Sequence, residues 1–505
     1  MAIFSLGLVT ACNASDVDPA DLPQQLDPAF VAAQARLADA REQKAIDGPA
    51  RNIILFIGDG MSVTTVTAAR IYEGQQRGAT GEENFLSFEK FPYLALSKTY
   101  NTDMQTPDSA GTASAIVTGV KTKMGFISVG ATAKRGDCAS SQSAKLTTIL
   151  ELAERAGLST GVVSTAPVTH ATPATSYAHT PERNWGVDRA MPEEARAAGC
   201  RDIAAQLIEF PHGDGLEVAF GGGRSHFLPT PADSEGAPGR AAPALRADGR
   251  DLTREWSSKY QNSAYVTTAA ELATIEPGAV DHVLGLFAAG GMKYEADRAR
   301  DPEGQPSLSE MTARAIDILS KNPNGYFLMV EGAEIDWAHH DGNAARALIE
   351  TVEYANAVTT ALSKTDPRET LIIVTADHAH TLTMAGYSKR GNPILGLAAN
   401  DEGLVLAKDG KPYTTLSYAN GKTVPVGVHE RADLTGVDTT DIDFRQQATV
   451  PVRAETHGGD DVPIYSKGPL AHLLTGVVEE NYIFHVMEAA GNLRARAAAK
   501  SRNPN

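Results

Sequence analysis

The sequence predicts an α/β fold in which a mostly parallel central sheet is covered by helices on both faces and carries an inserted surface subdomain. Apolar runs typical of buried strands recur along the chain and alternate with stretches of helical pattern. Four of these runs lead into side chains that bind ligands, as expected beyond the carboxyl ends of parallel strands. Between residues 386 and 455, glycines, turns and short β-like pieces (413–417 and 423–428) replace this alternation and indicate the inserted subdomain.

The composition limits the classes of protein to which this chain can belong. The chain has 505 residues, of which 42% are hydrophobic and 21% charged, so it can bury a large core. Its formal net charge of −17 argues against nucleic acid and anionic membrane surfaces as partners. The charge does not exclude an anionic substrate, because bound cations can reverse the field inside one site. No apolar run is long enough to span a bilayer.

Residues 1–26 have the pattern of an export signal followed by a tether. The start is apolar, and the segment 9–12 (VTAC) fits the lipobox in which a cysteine becomes a lipidated N-terminus. The positively charged beginning of such a signal is missing, because Arg36 is the first basic residue. Residues 13–26 are polar, acidic and proline-bearing, as a tether would be. We expect a periplasmic or extracellular protein lipidated at Cys12; the alternative is a merely apolar N-terminus.

The main domain, which we expect over residues 27–491, begins with a helix and a buried strand. Asp27 and Pro28 are of the types preferred at a helix N-cap and in the first turn. A continuous apolar run over residues 52–57 follows and stops at a GDG turn that contains Asp59. Asp59 is therefore expected at the carboxyl end of a central strand, between glycines that leave room for a ligand.

Three further runs repeat this arrangement. Residues 161–165, 326–330 and 371–375 are strand candidates, and helical patterns over residues 146–156 and 308–319 separate them. The side chains that follow are His170, Thr172 and Arg183 after the first run; Glu331, Asp336 and His340 after the second; and Asp377 and His378 after the third. These strand ends are predicted to form one binding edge. The basic residues 492–505 are expected to be a flexible tail.

Asp108 and Ser109 are predicted to open a helix. Asp108 follows a proline-closed loop and precedes small residues that favour helix, as an N-cap does. Ser109 then lies in the first turn, where free backbone N–H groups and the positive end of the helix dipole favour a bound anion such as phosphate. The alternative is an ordinary capped helix in which Ser109 has no chemical role.

The carboxylates and imidazoles near the strand ends form two kinds of ligand set. Mixed sets of histidine and carboxylate suit zinc at a catalytic site that keeps one position open. An all-oxygen set suits magnesium. The mixed sets are Asp59, Asp377 and His378, and Asp336, His340 and His457; the oxygen set is Asp59, Thr172 and Glu331. Their convergence near a helix-capped serine favours a metal site over scattered structural residues.

These segments together resemble the alkaline phosphatase family. The resemblance extends over residues 27–491, and the combined motifs are specific, although the DSAG sequence alone is not. The matching segments are Ile54–Met61 with its GDGM turn, Asp108–Ala113, His170–Pro173, Tyr177–His179, Arg183–Trp185, Phe220–Arg224, Val330–Gly332, Ile335–Asp336, Thr375–His378 and Glu455–Val462. The resemblance implies hydrolysis of phosphate monoesters to an alcohol and inorganic phosphate.

The resemblance also implies the cofactors, two zinc ions and one magnesium ion, and a role for each candidate residue. The implied ligands are Asp336, His340 and His457 for one zinc ion; Asp59, Asp377 and His378 for the other; and Asp59, Thr172 and Glu331 for magnesium. Ser109 would be the nucleophile and form a phosphoserine, which water then hydrolyses. Arg183 would bind two phosphate oxygens through its planar fork, and Asp108 would orient it.

The chain resembles the animal and some marine bacterial members more than the enteric bacterial ones. His170 and Trp337 stand where enteric members have Asp and Lys, so the magnesium shell loses negative charge and we expect weaker magnesium retention. Cys138 and Cys200 are either two buried thiols or a bridge, and they match a bridged pair in the animal members. Those members bind a further calcium partly through a Glu, where this chain has Ala288, so a fourth metal is not expected.

The resemblance further implies a homodimer. Residues 386–455 are similar to the interface crown of the family, and Tyr387 matches a tyrosine that reaches towards the partner's active site; the alternative is a monomeric surface loop. A sulfatase would need a Cys-x-Pro-x-Arg motif, which this sequence lacks. Phosphodiester hydrolysis stays open as a second activity. The rival from another class is a metal-dependent binding protein without catalysis.

Overall fold

The computed structural model describes residues 22–229, 246–423 and 430–502. The candidate lipidation site Cys12 and residues 424–428 of the second β-like piece lie outside these ranges. The chain divides into two compact units, the first ending at Lys44 and the second beginning at Ala45. The sequence predicted a boundary before residue 27, whereas this division places helix α1 (Pro28–Glu42) in the first unit.

Helix α1 begins as its sequence predicts. The Asp27 carboxylate accepts hydrogen bonds from the backbone N–H groups of Ala29 and Phe30, at 2.8 and 3.3 Å, and Pro28 occupies the first turn. None of the residues of α1 is buried.

The second unit is built around a ten-stranded sheet. The strands of the described residues are β1 Asn52–Gly58, β2 Tyr93–Lys98, β3 Ser159–Pro167, β4 Val218–Gly222, β5 Ser263–Val266, β6 His282–Leu286, β7 Tyr326–Gly332, β8 Thr370–Ala376, β9 Ala379–His380, β10 Leu382–Met384, β11 Ala399–Asn400, β12 Gly403–Leu404, β13 Leu416–Gly421, β14 Ala448–Pro451, β15 His457–Gly458, β16 Val462–Lys467 and β17 Gly476–Glu479. The sheet order is β17-β2-β16-β8-β1-β7-β3-β4-β6-β5. Every neighbouring pair is parallel except those of β16, which runs against both β2 and β8. The predicted mostly parallel sheet is confirmed.

Helices lie between most of these strands. The helices of the second unit are α2 Val63–Gln76, α3 Ser109–Thr118, α4 Cys138–Gln142, α5 Ile149–Ala156, α6 Ala171–Ala174, α7 Glu193–Ala197, α8 Ile203–Ile208, α9 Leu252–Lys259, α10 Ala269–Thr274, α11 Glu295–Arg298, α12 Leu308–Leu319, α13 Glu334–His340, α14 Ala344–Lys364, α15 Tyr482–Gly491 and α16 Leu493–Arg502. Among the described residues, no helix combines the length and the apolar character needed to cross a membrane.

Alternate side chains of β1 enter two separate apolar cores. Ile54 and Phe56 pack in one core, to which α2, α12 and α14 contribute. Ile53 and Leu55 pack in the other, to which α3, α5 and α15 contribute. Because neighbouring side chains of a strand point to opposite faces, both faces of the sheet are covered. This explains why β1 is a continuous apolar run rather than an alternating one.

The region predicted as a surface subdomain, residues 386–455, contributes to small sheets. Its strands β13 and β14 form a three-stranded sheet with β10, which lies just before it, and β11 and β12 form a two-stranded one. The first predicted β-like piece overlaps the start of β13, which runs from Leu416 to Gly421. Strand β9, just after β8, pairs with β15, which carries His457. The chain that leaves this subdomain therefore returns to the carboxyl edge of the central sheet.

The predicted flexible tail was wrong for residues 493–502, which form helix α16. Leu493 is fully buried, Arg494 pairs with Glu488 at 3.0 Å, and Arg496 donates a hydrogen bond to the backbone oxygen of Asn324 at 2.8 Å. A basic composition suggested a solvated end, but these specific contacts hold the helix against the second unit.

Cys138 and Cys200 form a disulfide bond, so the bridged alternative is confirmed. The bond joins α4 to the segment just before α8. Closing a loop of this length contributes about 4 kcal/mol in the chain-entropy model, because it restricts the unfolded chain.

Candidate functional site

The carboxyl ends of three adjacent central strands deliver the first group of site residues. Gly58 of β1 is in register with Gly332 of β7 and Ala376 of β8, so these strands end at the same level. Asp59 follows β1, Glu331 is the penultimate residue of β7, and Asp377 and His378 follow β8. All four side chains are completely buried. The strand-end prediction thus places them at one edge, where the sheet fixes their positions.

Ser109 lies within contact distance of this edge. Asp108 caps α3, and its carboxylate accepts a hydrogen bond from the N–H of Gly111 at 3.1 Å. Ser109 is the first residue of the helix, and its Oγ lies 3.1 Å from His378 Nε2 and 3.4 Å from Asp59 Oδ1. The hydroxyl is therefore at a helix N-terminus and beside a carboxylate–histidine group, a location that suits an anion and a cation together.

A second group of ligand-type side chains surrounds Asp336. Asp336 and His340 lie one turn apart on α13, and Asp336 Oδ1 is 3.4 Å from His340 Nε2. His457 arrives from β15, with its Nε2 3.4 Å from the same oxygen and 3.1 Å from His340 Nε2. The ring of His457 stacks on that of His378 at 3.7 Å between centroids, which places the two groups side by side.

The hydrogen bonds of three histidines fix which ring nitrogen faces the site. His340 Nδ1 lies 2.5 Å from the backbone oxygen of Glu455, and His457 Nδ1 lies 2.7 Å from that of Pro107. His378 Nδ1 faces the backbone oxygen of Ala379 at 3.3 Å. A carbonyl oxygen only accepts, so each Nδ1 carries a hydrogen and Nε2 is the nitrogen left to bind a metal. This is the tautomer that a metal ligand requires.

His380 was not among the predicted site residues, although it belongs to the same cluster. Its Nε2 lies 2.6 Å from Asp336 Oδ1 and its Nδ1 lies 2.5 Å from Glu455 Oε2. Burial acts to lower the pKa of His380, but the two carboxylates outweigh it and raise the pKa to about 10. Both ring nitrogens thus already contact carboxylates, a geometry that lets His380 orient Asp336. Its place two residues after His378 was the only sequence signal.

The third group gathers around Glu331. Oxygen or nitrogen atoms of Asp59, Glu331 and His170 lie within 4.8 Å of one another. Glu331 Oε2 accepts a hydrogen bond from the Ser164 hydroxyl. Thr172 lies on α6 with its side chain fully buried.

Several buried polar atoms in these groups are unpaired, which tests whether cations fit. Among the described residues, no hydrogen-bond partner is found for Asp59 Oδ2, Asp377 Oδ2, Glu331 Oε1 and Thr172 Oγ1. By contrast, Asp377 Oδ1 accepts two backbone N–H bonds, from Gly60 at 3.1 Å and His378 at 2.9 Å. Buried oxygens without donors are unfavourable unless something else binds them. Their chemistry fits divalent cations.

The pKa values of the buried carboxyl groups agree with this interpretation. Burial raises the pKa of Asp59 well above its ordinary value and that of Asp377 and Glu331 to about 7 in each case. Repulsion between neighbouring carboxylates adds to the rise. Burial lowers the pKa of His378 to about 3, so its imidazole stays neutral. Burial and mutual repulsion thus disfavour several carboxylates charged together at this edge, and a bound cation would remove that cost.

Arg183 and Asp108 form a buried ion pair beside Ser109. Arg183 Nη1 donates to Asp108 Oδ2 at 2.8 Å, and Gly125 N–H donates to both oxygens of Asp108. Asn101 Nδ2 donates to Asp108 Oδ1 at 3.0 Å. Burial acts to raise the pKa of Asp108, but the Arg183 charge and these hydrogen bonds lower it overall. Asp108 is thus a fixed carboxylate that orients the guanidinium; the sequence did not indicate Gly125 or Asn101.

The remaining predicted residues lie around this centre. His170 Nε2 is 3.3 Å from Arg183 Nη2, and the His170 ring meets the Trp337 ring edge-on at 5.8 Å. Burial lowers the pKa of His170 to about 3, and the Arg183 charge adds to this. Tyr387 is 92% exposed on the inserted subdomain, and Ala288 is buried next to Phe287 in the core.

Comparison with known proteins identifies the family. The family model described as alkaline phosphatase matches residues 50–493, which contain all the site residues described above. The chain belongs to the alkaline phosphatase family. The human tissue-nonspecific alkaline phosphatase isozyme is 46% identical over 468 residues, covering 92% of this chain and 88% of that protein. An alkaline phosphatase of Gadus morhua is 45% identical over 445 residues, covering 87% and 91% of the two chains.

Solved alkaline phosphatases share the fold. The enzyme of the Antarctic bacterium TAB5 superposes with a TM-score of 0.58 at 22% identity, covering 88% of this chain and 98% of that one. The Thermus thermophilus enzyme superposes with a TM-score of 0.63 at 23% identity, covering 92% and 97%. The protein is therefore an enzyme of the alkaline phosphatase family, whose common reaction is hydrolysis of phosphate monoesters and whose sites bind metals.

Proposed function

We propose that the chain hydrolyses small phosphate monoesters through a phosphoserine intermediate on Ser109. The Ser109 oxygen forms a bond to phosphorus while the bond from phosphorus to the ester oxygen breaks, and the alcohol leaves. Water then attacks the phosphoserine, which restores the Ser109 hydroxyl and releases inorganic phosphate. The observation that carries the proposal is the position of Ser109 Oγ, at a helix N-terminus and 3.1 Å from His378 Nε2.

Arg183 is proposed to bind two oxygens of the transferred phosphoryl group. Its guanidinium is planar and always charged; Nη1 donates to Asp108 and Nη2 faces His170 Nε2 at 3.3 Å, and both nitrogens carry further N–H groups that can bind phosphate oxygens. The carboxylate of Asp108 is held by backbone N–H groups of Gly111 and Gly125, so the guanidinium is oriented before substrate arrives. Such preorganisation stabilises the charge that develops on the phosphoryl oxygens.

We propose two zinc ions and one magnesium ion as cofactors. The ligands would be Asp336, His340 and His457 for one zinc ion; Asp59, Asp377 and His378 for the other; and Asp59, Thr172 and Glu331 for magnesium. The unpaired oxygens of Asp59, Asp377, Glu331 and Thr172 and the outward lone pairs of the three imidazoles support these sets. Zinc supplies Lewis-acid activation of oxygen nucleophiles and leaving groups.

We also propose that the enzyme is a homodimer outside the cytoplasm. The inserted surface subdomain and the 92% exposure of Tyr387 support a partner interface. The Cys138–Cys200 disulfide supports an oxidising compartment, such as the periplasm or the cell exterior. Lipidation at Cys12, as in a lipoprotein, is part of the same proposal, as is the expected lack of specific nucleic acid binding.

Turnover of p-nitrophenyl phosphate by the purified protein tests the function. We expect activity that EDTA abolishes, bound zinc and magnesium in the untreated protein, and at least a thousandfold lower turnover in Ser109→Ala. The matched control is Ser307→Ala, which removes a helix-capping hydroxyl remote from the site and should leave turnover intact. A metal-dependent binding protein would instead retain metal but show no chelator-sensitive turnover, which would refute the proposal.

A further inference from the structure

Arg135 joins two segments that lie on either side of the Arg183–Asp108 pair. Its Nε and Nη2 donate to the two carboxylate oxygens of Glu182 at 2.6 and 2.9 Å. Its Nη1 donates to the backbone oxygen of Met124 at 2.9 Å. All three guanidinium nitrogens are therefore engaged, although 43% of the Arg135 side chain is exposed to solvent.

The residues held by Arg135 immediately precede two residues of the site. Glu182 precedes Arg183, and Met124 precedes Gly125, whose N–H donates to both oxygens of Asp108. The same two segments also bond directly, because Arg183 N–H donates to the backbone oxygen of Gly125 at 2.9 Å. Arg135 thus links the two segments that hold the Arg183 guanidinium against the Asp108 carboxylate.

The Arg135 guanidinium packs closely against the backbone of Gly125. Gly125 has φ of +78°, and a methyl group added to its Cα would lie 1.9 Å from Arg135 Nη1. The guanidinium therefore rests directly on the backbone whose N–H binds Asp108. A side chain at this position would both strain the backbone and displace Arg135.

The ion pair of Arg135 and Glu182 is bidentate, which makes it stronger than a pair joined by one hydrogen bond. Burial acts to raise the pKa of Glu182, but the hydrogen bonds from Arg135 and from the N–H of Asn184 lower it overall. A simple exposed ion pair contributes about 0–1 kcal/mol to stability. A two-pronged arginine–carboxylate pair adds directional precision that such a pair lacks. We therefore expect the Arg135–Glu182 pair to affect the geometry of the site more than the stability of the fold.

We propose that Arg135, together with Glu182, is a positioning residue that sets the phosphate-binding guanidinium of Arg183. This inference rests on the proposed function. It assigns Arg135 no contact with substrate; its effect passes through Arg183 and through the Gly125 N–H group on Asp108. Misplacing a phosphate-binding fork by a fraction of an ångström weakens both substrate and product binding.

Steady-state kinetics of the metal-loaded enzyme, with p-nitrophenyl phosphate as substrate and inorganic phosphate as inhibitor, test the proposal. In Arg135→Gln we expect about tenfold increases in both KM and the phosphate inhibition constant, with kcat changed less than about threefold. Glu182→Gln should give the same pattern. Arg135→Lys keeps the charge but not the two-pronged geometry, so its values should fall between those of wild type and Arg135→Gln.

The matched control is Arg250→Gln. Arg250 also makes a two-pronged pair, with Glu255 at 2.8 and 2.6 Å, and its other partner is Glu209, outside the site. This control should leave both constants unchanged. In an Arg183→Gln background the Arg135→Gln effect should disappear, because the residue through which it acts is gone. Thermal unfolding of each variant checks that it is folded, and calorimetry measures its phosphate affinity independently of turnover.

Three outcomes would overturn the positioning role. One is an active wild type in which Arg135→Gln behaves like Arg250→Gln in both kinetics and phosphate affinity. A second is an Arg135→Gln effect that persists at full size in the Arg183→Gln background. The third is a loss confined to kcat. A wild type without chelator-sensitive turnover would refute the proposed function instead, and the calorimetric comparison would still decide whether Arg135 controls phosphate binding.

Discussion

Buried acids occur at both edges of the central sheet, but within the described ranges only the carboxyl edge groups them as a metal site does. At the carboxyl edge, Asp59, Glu331 and Asp377 are fully buried. At the amino edge, Glu154 and Glu217 are buried beside the starts of β3 and β4. Burial raises the pKa of Glu217 to about 8 and that of Glu154 well above its ordinary value. A perturbed carboxyl group is therefore common to both edges and does not by itself mark a site.

The partners of the acids distinguish the two edges. At the amino edge one residue, Thr160, supplies donors to both: its N–H bonds Glu217 Oε2 at 2.6 Å and its hydroxyl bonds Glu154 Oε1 at 2.5 Å. At the carboxyl edge the acids lie among histidine rings whose nitrogen atoms face them, and three ligand groups are found there among the described residues. Convergence of acids with correctly oriented histidines is the informative signal.

Replacing one buried acid by its amide at each edge should therefore have unequal effects on activity. We expect Asp377→Asn to lower turnover of p-nitrophenyl phosphate about a thousandfold and to release metal, because an amide is a poor ligand for a dication. Glu217→Gln should change turnover less than about twofold, since its carboxyl is already neutral over much of the pH range. Metal analysis and kinetics on both variants measure this. Equal losses of turnover in Asp377→Asn and Glu217→Gln would contradict a functional difference between the two edges.

The charge around the proposed magnesium site should be adjustable at one position. His170 is neutral, because burial and Arg183 hold its pKa at about 3. His170→Asp adds a negative charge near Asp59 and Glu331, so magnesium loss into EDTA should slow about tenfold. The release rate followed by atomic absorption tests this, with Glu217→Gln as a control that should match wild type. An unchanged rate in His170→Asp would show that shell charge does not control retention.

The amino edge should influence stability at alkaline pH. Burial raises the pKa of Glu217 from 4.5 to about 8 on folding. Between these two pH values the folded state therefore binds one more proton than the unfolded state does. The stabilising contribution of Glu217 is full below about pH 4.5 and is lost as pH rises through about 8. Glu217→Gln should therefore lose about 2–4 °C less in Tm than wild type between about pH 6 and pH 9.5. Glu255→Gln, at an exposed pair, is the control; parallel curves for Glu217→Gln and wild type would contradict this.

The sequence predicted the strand ends well because strand-end placement depends on local pattern. Asp59, Glu331, Asp377 and His378 each follow or end an apolar run, and the sheet register then brings them together. Asp108 was predictable as a helix cap for a similar reason. The four-residue spacing of Asp336 and His340 also placed both on one face of a helix.

The contacts that orient these residues were not predictable, because they join distant segments. Glu455 bonds His380 only because β15 pairs with β9, and nothing in either segment indicates that pairing. The Gly125 N–H reaches Asp108 only after the chain between them folds back. Composition misled at the C-terminus, where a basic stretch forms α16 through contacts with residues far away in sequence.

The reversed strand β16 has a consequence for how the molecule is made. It lies between β2 and β8, yet it follows both in the chain, and the imidazole of His457 arrives just before it. Until the ribosome has added β16, one edge of β8 is unpaired and His457 has not yet joined the candidate site. A chain interrupted at that stage exposes the unpaired backbone groups of β8, on which strands of other chains can stack.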